Sequence, residues 1–198
     1  MKKLSAILLA LPLVLCGACS EEEETLPQQR ERIVSYLTST HSPTLVAESA
    51  VDTESQQAFY TTSGNTVYRY IDNYYDPARP GRTEVTASSK VTITFRAYVF
   101  NFANITDSTF PFYSNDPLLK SAYEEMGLTS GAWSFEPLQI DMRSGNIIKG
   151  LRLALLGCRQ GDEVEAYMTY NMAYGDTNFS TIERESPLAC FFTVDAVE

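Results

Sequence analysis

The sequence predicts an α+β protein in which an antiparallel sheet wraps on one short helix, behind an N-terminal extension. Three observations carry this. Val91, Ile93, Phe95, Ala97 and Val99 alternate with polar or aromatic residues, the period-two pattern of a strand with one buried face. Leu151, Ala154, Leu155 and Cys158 fall at i, i+3, i+4 and i+7, an apolar helical stripe within Ile147 to Cys158. Val164, Ala166 and Met168, then Leu188, Cys190, Phe192 and Val194, return to alternation. Strands grouped around one helix define the class.

Composition narrows the functions open to it. A chain of 198 residues holds one domain with extensions, and 44% apolar with 12% aromatic residues is enough for a real core. Against 15 basic side chains stand 25 acidic ones, a formal charge of −10. That balance argues against a nucleic-acid binder, which needs a basic stripe along the phosphates. The single histidine, His41, excludes multi-histidine metal sites and leaves a serine or cysteine triad one poorly placed base. No calcium-loop spacing or paired carboxylates stand out. Neither metal nor cofactor is expected.

The N-terminus reads as an address. Lys2 and Lys3 precede an apolar run, Leu4 to Leu15, broken only by Ser5 and Pro12. It is shorter than the roughly 20 apolar residues that span a bilayer, so it predicts a secretory signal over residues 1–18. Small residues before Cys19 (Gly17, Ala18) resemble a bacterial lipoprotein signal, with Cys19 as the lipid attachment site; Cys16 fits worse because Leu15 precedes it. The alternative is an ordinary cleaved signal peptide. Glu21 to Glu24 then reads either as a solvated acidic tether (residues 19–27) or as the acidic signal that sends lipoproteins to the outer face in some Gram-negative groups. The expected location is the cell envelope, as an outer-membrane lipoprotein.

Residues 28–88 form the expected extension. Gln28 to Leu37 places Ile33, Tyr36 and Leu37 on one face of a short helix. Phe59–Thr62 and Thr66–Ile71 flank Ser63-Gly64-Asn65, a hairpin signal. Asp76-Pro77-Ala78-Arg79-Pro80-Gly81 reads as a turn or linker and as the best internal boundary. The run Tyr68, Tyr70, Tyr74, Tyr75 fits carbohydrate or peptide stacking, or simply the surface of amphipathic strands. Cys158 and Cys190 fall at core positions, which favours buried thiols over the disulfide that an exported compartment permits.

One ordered set of motifs resembles a known family. Pro137-Leu138-Gln139-Ile140, then Ile147-Ile148-Lys149-Gly150-Leu151, Gly161-Asp162, Ala173-Tyr174-Gly175 and the final strand follow the FKBP-type peptidyl-prolyl isomerase pattern. That pattern is an apolar strand, V-I-x-G-W opening a helix, M-x-x-G-D/Q, a strand, A-Y-G, a loop and L-x-F-x-V. The resemblance covers about residues 89–198 and implies a half-barrel sheet with its helix across the concave face. A prolyl pocket would lie between them. Tyr174 then stands where a tyrosine hydroxyl bonds a substrate carbonyl, and Ile148 where a backbone N–H does so. Asp107, within Asn104 to Thr109, resembles the aspartate of the family's F-D-S-S segment, at the cost of one extra residue. Ile147, Leu138, Leu151, Phe95, Ile182 and Cys190 would form the pocket wall.

The departures are as informative. Phe95 stands in place of a tyrosine, Leu151 of a tryptophan and Cys190 of a phenylalanine; Thr106 replaces an aromatic unless Ile105 or Phe110 fills the space. Each swap removes flat wall against which a prolyl ring packs. A long insert at about residues 110–136 leaves and returns at the pocket rim. Within it, Asp116 to Gly127 predicts a helix with Asp116 as cap and Pro117 in the first turn. Trp133, Phe112 or Tyr113 would lid the cleft, or the insert would pack on its own edge of the sheet. The resemblance implies a lipid-anchored isomerase or folding helper acting on proline-containing segments; the alternative is a non-catalytic module for a cell-surface partner.

Overall fold

Alternation places two apolar faces on one sheet, and each is covered by a helix. The computed structural model describes residues 18–52, 54–129, 134–179 and 181–198. In chain order these form α1 (Ala18–Ser39), β1 (Val46–Ala47), β2 (Phe59–Ser63), β3 (Val67–Ile71), β4 (Lys90–Val99) and β5 (Tyr113–Ser114). There follow α2 (Lys120–Glu125), β6 (Leu138–Asp141), α3 (Lys149–Leu155), β7 (Glu163–Met168) and β8 (Leu188–Val197). Strand order across the sheet is β1-β2-β3-β7-β8-β4-β5, and β6 also pairs with β4. The long central pair is antiparallel β4–β8, from Val91↔Val197 to Val99↔Leu188.

Val91, Ile93, Phe95 and Ala97 of β4, with Leu188, Cys190, Phe192 and Val194 of β8, are buried against Leu151, Ala154 and Leu155 of α3. This is the α+β arrangement of sheet and helix expected of the sequence, antiparallel throughout except for the short parallel pair β1–β2. The other face is also buried, which the extension reading did not foresee. Tyr68 and Tyr70 of β3, Tyr98 of β4 and Tyr167 of β7 pack beneath Ile33, Tyr36 and Leu37 of α1. Tyr68 and Tyr70 are therefore core, while Tyr74 and Tyr75 stay exposed.

The hairpin is part of the same sheet. Gly64 and Asn65 both take positive φ, +58° and +51°, at the centre of the turn that the Thr66 N–H closes onto the Ser63 carbonyl at 3.2 Å. Its second strand, β3, pairs with β7 over five residues, Val67↔Met168 to Ile71↔Val164. The sheet thus reaches back well before residue 89. The turn after it is fastened too: Arg79, 9% exposed, forms a two-point ion pair with fully buried Asp162, Nε–Oδ1 and Nη2–Oδ2 both at 2.8 Å. A solvated linker would leave both groups in water. At the N-terminus the α1 backbone is helical from Ala18, through the segment read as an acidic tether.

The insert follows its sequence signals. The Asp116 side chain accepts from the Leu118 N–H at 2.9 Å, a short 3-10 turn begins at Pro117, α2 follows, and Gly127 takes φ +66° after it. Cys158 and Cys190 are both free and buried.

Candidate functional site

The site is assembled where α3 enters and where β7 leaves the sheet. Ile148, at φ −59° and ψ 144°, is the extended residue that caps α3. Its N–H has no acceptor among the described residues. Gly150 explains how α3 comes so close to β7: a Cβ there would lie 2.4 Å from Met168 Sδ and 2.9 Å from the Met172 carbonyl oxygen. Only glycine fits, which gives the glycine of the V-I-x-G motif a steric reason.

Beyond β7, a 3-10 turn (Tyr170–Met172) carries the chain to Tyr174. The N–H groups of Ala173 and Gly175 both donate to the Tyr170 carbonyl at 2.9 Å, and Gly175 turns away at φ +75°. Tyr174 is half-buried against the α3-side core. Its hydroxyl has no hydrogen-bond partner among the described residues. Burial first, then the nearness of Cys190 and Tyr113, raises its pKa. The phenol therefore stays protonated and able to donate. Phe95, Leu151, Ile182 and Cys190 are all buried in the core beside it, with Ile147 and Ile148 half-buried at its border. Burial lifts the Cys190 thiol to about 12, so it is inert wall rather than nucleophile.

Two expected residues are placed elsewhere. Asp107 is exposed in the turn 106–109, and the phenol its charge reaches is Tyr98, on the opposite face of β4 from Phe95. The place beside Phe95 is taken by Tyr113, with ring centroids 5.3 Å apart. Phe112-Tyr113-Ser114-Asn115 thus borders Phe95 at the sheet edge, and β5 holds it in register at Ala97↔Tyr113. Tyr113 lies six residues beyond Asp107, so its place follows from the β4–β5 pairing and not from F-D-S-S spacing. Leu138 is exposed at the start of β6 and stays outside the buried cluster.

The insert is tied at its root by Asn115. Its side chain accepts from the Phe95 N–H at 2.7 Å and donates to the carbonyls of Ile93 and Glu136 at 3.0 and 3.1 Å. One residue thereby joins the outgoing and returning arms to β4. Phe112 packs against the site's core; Trp133 lies outside the described residues. Phe179, missed by the sequence reading, stacks on Tyr174 and is half exposed. Two sizeable cavities, of about 470 and 570 Å³, lie on the α1 side of the sheet; neither is bordered by Tyr174, Leu151 or Ile182.

One family model agrees with this arrangement. The family model described as FKBP-type peptidyl-prolyl cis-trans isomerase matches residues 122–195. Among solved structures, the N-terminal domain of FKBP42 from Arabidopsis thaliana is similar at 15% identity and a TM-score of 0.45, over 67% of this chain and 87% of that one. No curated protein matches the sequence significantly. The matched segment contains α3, β7, the Tyr174 turn and most of β8. With the sheet and its crossing helix, it gives this chain an FKBP-type, peptidyl-prolyl-isomerase-like fold.

Proposed function

We propose that the protein is a lipid-anchored FKBP-like protein that binds proline-containing segments and catalyses their cis/trans isomerisation without a covalent step. The observation that carries this is the partnerless, protonated Tyr174 hydroxyl at an apolar core, with the unpaired Ile148 N–H at the helix entrance. Amide resonance sets an isomerisation barrier of about 18–20 kcal/mol. A site that holds the twisted amide better than the planar one lowers it, and a thousandfold gain needs only about 4 kcal/mol. Tyr174 and the Ile148 N–H orient the substrate carbonyls; Phe95, Leu151, Ile182 and Cys190 exclude water around the imide. Export and anchoring through Cys19, at an outer membrane, rest on the Lys2-Lys3 start, the apolar run and the small residues before that cysteine.

A second reading is favoured by Tyr113, Phe95 and Phe179. With Tyr113 beside Phe95 and Phe179 lying on Tyr174, the same surface serves as a non-catalytic module for a surface partner. An isomerisation assay on the chain beginning at Ser20 separates the two. Acceleration across X-Pro peptides supports the enzyme; peptide binding at the uncatalysed rate supports the module; neither overturns the site.

A further inference from the structure

We propose that the cavity beneath α1, remote from Tyr174, is a second binding site, for a monocarboxylate that carries an apolar body. It measures about 570 Å³ and lies between α1, residues 46–49 and the β2–β3 hairpin. Val34, Ala47 and the rings of Tyr60 and Tyr68, 5.9 Å between centroids, give it an apolar wall. Arg30 reaches into it from α1. Its Nε is shielded from water with no partner, and no nitrogen of its guanidinium makes a hydrogen bond or ion pair among the described residues.

Arg30 is unlike the other two arginines with an orphaned buried nitrogen. Arg69 is engaged through Nη1 with the Ala154 and Leu156 carbonyls, and Arg82 through Nη2 with Asp76. A buried donor without an acceptor carries a desolvation penalty, which a ligand oxygen would relieve. The guanidinium fork matches a carboxylate, and two aromatic walls with one convergent charge are the usual make-up of a small-molecule site. Exposed Glu31 and Glu48 also border the cavity. Their charges disfavour a dianion, so the site selects a single carboxylate over phosphate.

The test is titration of the 15N-labelled protein with hydrocinnamate, hydrocinnamamide and inorganic phosphate, followed by amide shifts. Hydrocinnamate is expected to give saturable shifts at Arg30, Val34, Ala47 and Tyr68. The amide and phosphate should bind at least tenfold more weakly, Arg30→Gln should lose the preference for carboxylate, and cavity-filling Ala47→Phe should abolish binding. No saturable shift, equal binding of the amide or phosphate, or undiminished carboxylate binding by either variant would overturn the proposal.

Discussion

Phe179 lies flat on Tyr174, with ring centroids 4.1 Å apart and planes 5° from parallel. The stack is held from below: Phe179 and Ile182 exchange both backbone hydrogen bonds, at 3.0 and 2.9 Å, and Ile182 is 2% exposed. Glu185 N–H closes the loop onto the Gly175 carbonyl at 2.9 Å. A buried isoleucine thus positions an exposed ring, and that ring fixes the plane of the tyrosine at the site.

Removing the upper ring tests this arrangement. An aromatic pair contributes about 0.5–1.5 kcal/mol beyond its buried area. Phe179→Ala is expected to weaken binding of a proline-containing peptide by roughly twofold to tenfold, read by calorimetry, because Tyr174 loses its orientation. Tighter binding by the variant would instead mark Phe179 as an obstruction.

The Arg79–Asp162 pair predicts a large loss of stability from a residue whose sequence context reads as linker. Asp162 is fully buried, also accepts the Arg159 N–H at 2.7 Å, and Tyr74 lies 4.5 Å from the Arg79 guanidinium carbon. Breaking such a pair from one side typically costs about 3–5 kcal/mol. Arg79→Ala should lower the urea midpoint accordingly; a change within about 0.5 kcal/mol would contradict the pairing.

Gly150→Ala would normally help a helix by about 1 kcal/mol. Here the added methyl meets Met168 and the Met172 carbonyl, and the backbone oxygen cannot rotate away. Overpacking of this kind costs about 1–3 kcal/mol. Thermal unfolding should show net destabilisation; a more stable variant would mean α3 does not sit this close to β7.

His41 offers a pH test with a single reporter. Both ring nitrogens face acceptors: Nδ1 the Pro43 carbonyl at 2.5 Å, Nε2 the Glu165 carboxylate at 2.9 Å. Burial alone would depress its pKa, but Glu165, the Pro43 carbonyl and the charge of Asp72 outweigh it, and the net shift is upward. A raised folded pKa means stability fully present below about 6.5 and lost as pH rises through the folded value. The lone histidine resonance should titrate above 6.5, and the urea midpoint should fall over that range. His41→Gln should abolish the dependence. A midpoint at or below 6.5 would contradict the buried pair.

What the sequence made legible was local. The strands β4, β7 and β8, the stripe of α3, the β2–β3 turn and the capped start of the insert all follow from period and punctuation. What stayed hidden was pairing between distant segments. Nothing in Val67 to Ile71 announces β7 as its partner, so a sheet strand read as an extension. Arg79 looked solvent-borne because its partner is 83 residues away. Asp107 fits F-D-S-S by identity, whereas pairing with β4 brings Tyr113 beside Phe95; an edge strand of two residues carries too little pattern to set that register alone.

Under the proposed function the Tyr174 hydroxyl donates to a substrate carbonyl as the prolyl bond twists. Catalysed isomerisation of an X-Pro peptide by wild type and Tyr174→Phe measures it directly. One neutral hydrogen bond contributes about 0.5–1.5 kcal/mol, so kcat/KM should fall roughly twofold to tenfold at unchanged melting temperature. Equal kcat/KM for the two proteins, or no catalysis by either, would contradict it.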